Sequence, residues 1–192
     1  MLQGPSGSGK TTLINLLGLL DEPDGGTLDL DGAPVAGMSE NARADLRRDR
    51  FGFVFQSFNL VAVLTAAENV EYPMMLKGVA REARRRRASE LLARVGLSDK
   101  RDVRPDLLSG GQRQRVAIAR ALANEPEVIL ADEPTANLDT KTADDVLGLM
   151  TTINRDQRVA FVLASHDPRV VARAGRALTL HDGRIVDHPA SR

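Results

Sequence analysis

The sequence has no cysteine, no tryptophan and a single tyrosine among its 192 residues. Without cysteine, neither a disulfide framework nor a thiolate metal site is possible. Lysine plus arginine and aspartate plus glutamate each number 26, so the formal net charge is zero. This balance argues against a general nucleic-acid binder, whose affinity depends on neutralising phosphates. We therefore expect no direct nucleic-acid partner.

Long apolar runs are also missing. The longest one near the start, from Leu13 to Leu20, is interrupted by Asn15 and Gly18, and it is far too short to span a bilayer. The first residues carry no basic segment of the kind that begins a secretory signal. These absences predict a soluble cytoplasmic protein, and 192 residues are enough for one domain with a sizeable core and a small additional lobe.

Apolar runs of strand length alternate with helical patterns, which predicts an α/β fold with a mostly parallel sheet. The predicted strands are 51–56, 127–132 and 159–165. The predicted helices are 13–20, most of 65–97, and 109–126. Turn residues around short alternating runs predict hairpins at 27–30 and 177–186.

A complete phosphate-binding pattern begins at the fourth residue. The stretch Gly4-Pro5-Ser6-Gly7-Ser8-Gly9-Lys10-Thr11 fits G-x-x-x-x-G-K-[ST] at every fixed position. Its glycines permit a tight turn that exposes successive N–H groups to phosphate oxygens, and the following helix points its positive N-terminus at the same anion. We expect Lys10 to reach the β- and γ-phosphates of a nucleotide and the Thr11 hydroxyl to bind Mg²⁺. The full pattern with an apolar helix directly after it disfavours an accidental glycine-rich turn.

Two carboxylates follow the apolar run of the strand at 127–132. A carboxylate at the end of a central parallel strand lies beside the phosphate loop in sheets of this kind. Asp132 is therefore predicted to hold Mg²⁺, directly or in its second sphere. Glu133 is predicted to accept a proton from an attacking water. The alternative is an ordinary acidic turn between a strand and a loop.

A second candidate anion site lies within LLSGGQRQRVAIARA, residues 107–121. Ser109 is a good N-cap, and Gly110 and Gly111 keep the N-terminus of the helix bare. A bare helix N-terminus beside a hydroxyl favours an anion. The alternative, a capped helix after a turn, leaves the paired glycines unexplained because glycine lowers helix stability.

Together these motifs resemble an ATP-binding-cassette (ABC) ATPase over essentially the whole chain. The motifs occur in that family's order, namely the loop 4–12, Gln56, LSGGQ (108–112), ILADEP (129–134), ANLD (136–139) and SHD (165–167). LSGGQ is the motif that distinguishes this family from other P-loop proteins. A finer and less specific resemblance, carried by FGFVFQSFNL and LTAAENVEYPMML, is to ATPases of the MacB, LolD and FtsE types.

The resemblance implies a P-loop NTPase with a RecA-like core (1–56 and 111–192) and a helical subdomain (57–110), using ATP and Mg²⁺. It implies that Gln56 senses Mg²⁺ and the attacking water, that His166 contacts the γ-phosphate, and that Asp139 links two sites across a dimer. Lys10, Gln56, Glu133 and His166 are the implied catalytic residues. The implied Mg²⁺ residues are Thr11, Gln56 and Asp132. The implied ATP-binding residues are Gly4, Pro5, Ser6, Gly7, Ser8, Gly9, Lys10, Thr11, Thr12, Ser109, Gly110, Gly111, Gln112 and Asp139.

The resemblance also implies partners. Hydrolysis needs both anion-binding helix termini on one nucleotide, so a head-to-tail pair of cassettes would share two ATP sites, with Ser109, Gly110 and Gly111 reaching the γ-phosphate held by the other subunit. An integral membrane permease would exploit the cycle at the inner face of the membrane to export peptides, macrolides or lipoproteins.

Other readings remain open. One is an FtsE-like regulator of cell division, and another is a small-molecule kinase, although a kinase has no use for LSGGQ. A chromosome-maintenance ATPase of the same superfamily needs more residues between Lys10 and Ser109 than this sequence has. Family members usually carry some tens of residues before the phosphate loop, including antiparallel strands and an aromatic residue that stacks on adenine. We therefore expect an incomplete N-terminal antiparallel subdomain and too few residues for a strand before Gly4, and a truncated cassette with impaired nucleotide binding is a further alternative.

Overall fold

The computed structural model describes residues 1–186, so the last six residues of the predicted RecA-like core lie outside the described residues. The strands are β1 (Leu2–Gln3), β2 (Asp29–Leu30), β3 (Ala33–Pro34), β4 (Phe51–Val54), β5 (Val128–Asp132), β6 (Ala160–Ala164), β7 (Leu178–His181) and β8 (Arg184–Val186). The helices are α1 (Lys10–Leu17), α2 (Glu40–Arg50), α3 (Ala66–Leu76), α4 (Arg81–Arg94), α5 (Gly110–Ala121), α6 (Thr140–Gln157) and α7 (Pro168–Arg173). Two 3₁₀ turns cover Ser98–Lys100 and Pro105–Leu107. Within residues 1–186, no helix combines the length and the apolar composition that crossing a membrane requires.

Six strands form the main sheet in the order β4-β5-β6-β1-β7-β8. The first five of these run parallel, and β8 is antiparallel to β7. The predicted α/β fold with a mostly parallel sheet is confirmed. In the register of β5 and β6, Asp132 lies opposite Ala164, so the two strands end at the same level.

Strand β1 is only two residues long, but it is paired on both sides. Leu2 lies opposite Ala164 of β6 and Leu178 of β7. The Met1 carbonyl accepts from the Leu178 N–H at 2.8 Å, and the Leu2 carbonyl accepts from the Ser165 N–H at 3.1 Å. The expectation of too few residues for a strand before Gly4 is therefore wrong, because pairing on two sides compensates for the short length.

The largest apolar core is formed by the sheet together with α3, α4, α5 and α6. Leu91, Leu92 and Val95 are completely or almost completely buried there, together with Val116 and Ile118 of α5. The predicted helix at 65–97 is two helices, because the chain turns between α3 and α4 at a glycine with a φ of 81°. As predicted, no strand lies between β4 and β5. The division into a RecA-like core and a helical subdomain stays a prediction.

Other boundaries also differ from the prediction. Helix α1 begins and ends three residues earlier than predicted, and α5 ends at Ala121, five residues before Pro126. Helices α2, α6 and α7 lie in segments where no element was predicted. Both predicted hairpins form, one as β2–β3 and one as β7–β8. The β7–β8 turn has positive φ at both Asp182 and Gly183, which is typical of a type I′ hairpin.

Candidate functional site

The candidate residues collect at the carboxyl ends of four adjacent strands. Gly4 follows β1, Asp132 ends β5 and Glu133 comes directly after it, and His166 and Gln56 each lie two residues after their strands, β6 and β4. Because β4, β5, β6 and β1 are neighbours in the sheet, these ends enclose one cavity of about 520 Å³. The residues that line it are Pro5, Ser6, Gly7, Gly9, Lys10, Thr11, Thr12, Gln56, Glu133, Ala136 and His166. Its position follows the rule that open α/β sheets bind ligands beyond the carboxyl ends of their strands.

The phosphate loop is held in shape from two directions. The buried ammonium of Lys10 donates to the carbonyls of Gly4 at 2.8 Å and Pro5 at 3.0 Å, which leaves its remaining proton for a phosphate oxygen. Gly4 has a φ of 154°, and a Cβ there would overlap the Leu180 carbonyl of β7, so only glycine fits. Helix α1 begins at Lys10 and presents the N–H groups of its first turn, where an anion is favoured.

Thr11 and Asp132 form a pair of oxygen ligands suited to Mg²⁺. The Thr11 hydroxyl donates to Asp132 Oδ2 at 2.9 Å, and Asp132 Oδ1 is buried with no partner among residues 1–186. An unpartnered buried carboxylate oxygen beside a hydroxyl fits a hard cation that takes oxygen ligands and keeps several waters. Within the described residues no group of three or more His, Cys, Asp or Glu side chains could hold a metal ion by itself. A cation here would therefore need phosphate and water oxygens as well.

Glu133 has both carboxylate oxygens engaged. The Ser165 hydroxyl donates to Oε2 at 3.0 Å, and Nδ1 of His166 lies 2.7 Å from Oε1. The carboxylate side chain is 15% exposed, whereas the imidazole is 68% exposed. The backbone of Glu133 has a φ of 45°, a left-handed conformation that is uncommon for residues other than glycine and is enriched at active sites. The structure thus aims this carboxylate into the cavity at a cost in backbone strain.

The segment after Gln56 is fixed by α5 and by the loop before α6. The Gln56 carbonyl accepts from the Asn137 side-chain amide at 3.0 Å. Phe58 and Asn59 both have positive φ, and the Arg120 guanidinium donates to both of their carbonyls, at 2.8 Å for Phe58. Burial lowers the pKa of Arg120.

The predicted second anion site is a capped helix start that lies away from the cavity of its own chain. Ser109 Oγ accepts from the Gln112 N–H at 3.3 Å, and Gln112 Oε1 accepts from the Ser109 N–H at 2.9 Å. These two bonds form a capping box, which confirms Ser109 as the N-cap. None of the residues 109–112 lines the cavity.

The paired glycines have a packing reason that sequence reasoning missed. A Cβ on Gly111 would overlap Cγ2 of Thr142 in α6, and one on Gly110 would lie 3.4 Å from the Leu138 side chain. Gly111 therefore permits the close approach of α5 to α6. Packing does not require glycine at position 110, since a Cβ there meets only ordinary contacts, and Ser109 at the helix start is exposed.

Asp139 also has a local role. Its Oδ1 accepts from the Thr142 N–H at 3.1 Å, which makes it the N-cap of α6. Hydrogen bonding to Thr142 lowers the pKa of Asp139. The structure does not bring Asp139 into the cavity of its own chain.

Two contacts near Glu133 were not predicted from the sequence. Gln114 is completely buried and donates through Nε2 to the Pro134 carbonyl at 2.7 Å. Ser165 contacts Glu133 directly, as described above. For Gln114 a signal existed, because this polar residue lies on the same helical face as Ala117, Ile118 and Ala121, all of which are apolar and buried.

A second concave surface, which we call the β4 groove, lies beside the segment after Gln56. It has a volume of about 340 Å³ and is mostly apolar. The apolar side chains in its lining are Leu20, Phe51, Phe53, Phe55, Tyr72, Pro73, Leu76 and Ala121. The three phenylalanines are half-buried, whereas Gly52 and Val54, at the alternate positions of β4, are buried. Tyr72 is 40% exposed and Leu76 is 60% exposed.

Comparisons with known proteins agree with this geometry. The family model described as "ABC transporter" matches residues 1–136. The lipoprotein-releasing system ATP-binding protein LolD 1 of Caulobacter vibrioides is 52% identical over 187 residues, which cover 96% of this chain and 80% of that protein. The macrolide export ATP-binding/permease protein MacB 1/2 of Paracoccus denitrificans is 51% identical over 185 residues, which cover 96% of this chain. This chain spans only 28% of the length of that MacB relative.

Two solved structures are also similar. The dimeric structure of MJ0796, a bacterial ABC transporter cassette, has a TM-score of 0.88 and 43% identity, with 96% of this chain and 81% of that chain covered. The dimeric post-hydrolysis state of the same cassette, bound to ADP and Pi, has a TM-score of 0.87.

Proposed function

The chain belongs to the ABC transporter family, whose ATPases use ATP with Mg²⁺, and on that premise we propose that it is the ATP-hydrolysing subunit of an exporter. In this proposal, ATP-driven pairing of two cassettes drives a membrane permease. The observation that carries the proposal is the cavity that joins the phosphate loop to Gln56, Glu133 and His166.

Lys10 and the first turn of α1 are proposed to bind the β- and γ-phosphates. The carbonyls of Gly4 and Pro5 hold the Lys10 ammonium over the loop. The Lys10 side chain therefore loses little conformational entropy when a nucleotide binds. Thr11, Asp132 and Gln56 would hold Mg²⁺, which when bound neutralises charge that develops on the phosphate oxygens.

Glu133 is proposed as the base that takes a proton from the attacking water. Its two hydrogen-bond partners, Ser165 and His166, restrict the rotation of the carboxylate. Since Nδ1 of His166 faces Glu133 Oε1, Nε2 is the ring nitrogen left for the γ-phosphate, and it can donate there only when the imidazole carries both protons. The water would then attack the γ-phosphorus in line and give a proton to Glu133. As the bond from the water oxygen to the γ-phosphorus forms, the bond from the γ-phosphorus to the ADP oxygen breaks.

Ser109, Gly110, Gly111 and Gln112 are proposed to complete the ATP site of a second copy of the chain. Their distance from the cavity of their own chain and their accessible helix start support this role, as does the similarity to dimeric cassettes. Asp139, which begins α6 next to this surface, is proposed to link the two sites across the dimer.

The β4 groove is proposed as the surface that receives the permease. It is mostly apolar, and its lining includes Asn59, three residues after Gln56, so a helix seated there would contact the segment that reaches the cavity. The 57–110 subdomain, which supplies Tyr72 and Leu76, is proposed to move with that helix. The relatives named for macrolide export and lipoprotein release support an export cargo of the macrolide, peptide or lipoprotein class, and binding of the permease would hold the chain at the inner face of the membrane.

The test of this function is the isosteric substitution Glu133→Gln, followed by ATP hydrolysis with Mg²⁺ and by size-exclusion chromatography with ATP. We expect hydrolysis to fall by roughly 10²–10⁴-fold, the range for loss of a general base, while ATP-induced dimers persist. The matched control is Glu125→Gln, the same change on an exposed glutamate, which should hydrolyse ATP normally. A near-normal rate for Glu133→Gln would show that the base is another group.

A further inference from the structure

Helix α5 carries one completely buried amide that the proposed reaction does not use. The Gln114 side chain is fully buried, and its Nε2 donates to the carbonyl of Pro134 at 2.7 Å. A carbonyl can only accept, so the amide nitrogen must face Pro134. The amide oxygen, Oε1, is then buried without a hydrogen-bond partner among residues 1–186.

Stability alone does not account for this glutamine. A buried polar group lowers stability unless its hydrogen bonds are made, and here one end of the amide is bonded while the other is not. An apolar side chain of the same shape would fill the space without that cost. The residues around it on α5, including Ala117 and Ile118, are apolar and fully buried. The bond to Pro134 is therefore the feature that needs a reason.

That bond anchors the residue next to the proposed base. The Glu133 N–H donates to the Ala164 carbonyl of β6 at 2.8 Å, and the carbonyl one residue later is held by Gln114. Glu133 is thus fixed on one side by the sheet and on the other by α5, in a left-handed conformation with a φ of 45°. A strained backbone persists only where surrounding contacts fix it.

We propose that Gln114 is a positioning residue for hydrolysis: by holding the Pro134 carbonyl, it keeps the Glu133 carboxylate in reach of Ser165, His166 and the attacking water. The inference rests on the proposed function, in which Glu133 is the base. Gln114 itself touches neither ATP nor water.

The test is Gln114→Met, which keeps the length of the side chain and removes the donor. We expect kcat for ATP hydrolysis to fall about 10- to 100-fold, as is typical when a reacting group is displaced by about 1 Å. KM for ATP and the affinity for a fluorescent ATP analogue should stay within about twofold, because the phosphate loop is untouched. A merely structural role would instead lower stability and leave kcat of the folded fraction unchanged.

The matched control is Ile118→Ala, one turn further along the same buried face of α5. It should lower the melting temperature, followed by circular dichroism, and leave kcat near normal. If Gln114→Met keeps normal kcat, or lowers kcat only as much as Ile118→Ala does, the inference is overturned.

A double-mutant cycle separates this inference from the function on which it rests. In single-turnover reactions with excess protein, adding Gln114→Met to Glu133→Gln should cause no further loss, since Gln114 acts through Glu133. Additive losses would show that Gln114 acts elsewhere and would overturn the inference while leaving the base assignment intact. A near-normal rate for Glu133→Gln alone would overturn the base assignment, and the inference with it.

Discussion

At the scale of single residues, the site depends on how firmly one carboxylate is held. Glu133 combines a strained backbone with hydrogen bonds on both carboxylate oxygens. Ser165 is the better buried of the two partners, with no exposed surface. The Ser165 Oγ also accepts a hydrogen bond from the Asp167 N–H at 3.1 Å. That bond orients the hydroxyl so that its proton points to Glu133. Ser165 is therefore a rigid support for Glu133, whereas the exposed His166 is free to exchange partners.

Replacement of Ser165 by alanine should weaken hydrolysis without abolishing it. A hydrogen bond to a charged group contributes roughly 1.5–3 kcal/mol, and because water can replace part of it, we expect a loss of about tenfold in kcat. Ser165→Thr keeps the hydroxyl and is the matched control, expected to remain near normal. Steady-state ATPase kinetics would check this, and equal rates for the two variants would mean that the hydroxyl does not support Glu133.

Much of the site could be predicted from the sequence because its parts are local. The phosphate loop is one contiguous pattern, and the carboxylates after β5 and the histidine after β6 each follow a strand that its apolar run reveals. Parallel strands then bring their carboxyl ends together. Gln114, by contrast, finds Pro134 only through the packing of α5 on the β5 loop. No spacing in the sequence encodes that contact, so only the unusual polarity of its position could have pointed to it.

At the scale of elements, the helices and strands that were not predicted from the sequence escaped prediction for different reasons. Helix α2 has no buried residue, so no apolar stripe shows its period, and β1 exists only because β6 and β7 pair with it. Helix α6 is a different case, since Ala143, Val146, Leu147, Met150 and Ile153 form a regular buried stripe that sequence reasoning did not use. The prediction of the sheet was correct because β5 and β6 carry continuous apolar runs, which are typical of buried parallel strands.

The close contact between α5 and α6 leads us to predict how a substitution at Gly111 changes the free energy of unfolding. In Gly111→Ala the added methyl group would overlap Thr142, and overpacking of this kind costs roughly 1–3 kcal/mol. The gain in helix propensity, about 0.5–1 kcal/mol, offsets only part of that cost. We therefore expect urea unfolding of the nucleotide-free chain to show a net loss of free energy of unfolding.

The matched background for this measurement is Thr142→Ser, which removes the methyl group that Gly111→Ala would meet. In that background Gly111→Ala should be neutral or stabilising, giving a coupling energy of more than about 0.5 kcal/mol. The same loss in both backgrounds would mean that the glycine is needed for another reason, such as access to the helix start.

At the scale of the whole molecule, the cavity and the helix start that is proposed to complete it in a second copy do not meet within one chain. The cavity lies at the carboxyl ends of the strands, and the helix start at Ser109 lies outside its lining. Two copies arranged head to tail, with twofold symmetry, would place each helix start on the other copy's cavity. Each ATP would then take its phosphate loop and base from one chain and Ser109 from the other.

This arrangement predicts that two variants, each inactive alone, regain ATPase activity when they are mixed. Glu133→Gln inactivates the half-site of its own chain, and Ser109→Arg places a large cation at the helix start presented to the partner. In a mixed dimer both lesions fall on the same ATP site, and the other site is intact. Random pairing of equal amounts gives mixed dimers in half of the population, each with one intact site, so activity should reach up to about a quarter of normal.

The measurement is the ATPase rate of the 1:1 mixture compared with each variant alone, after circular dichroism has shown that both are folded. The control is a chain that carries both substitutions, mixed with Ser109→Arg, since every site in that mixture contains at least one lesion and no activity should return. If each chain formed a complete site by itself, both mixtures would be as inactive as their components. Recovery in the first mixture alone therefore requires that the two halves come from different chains.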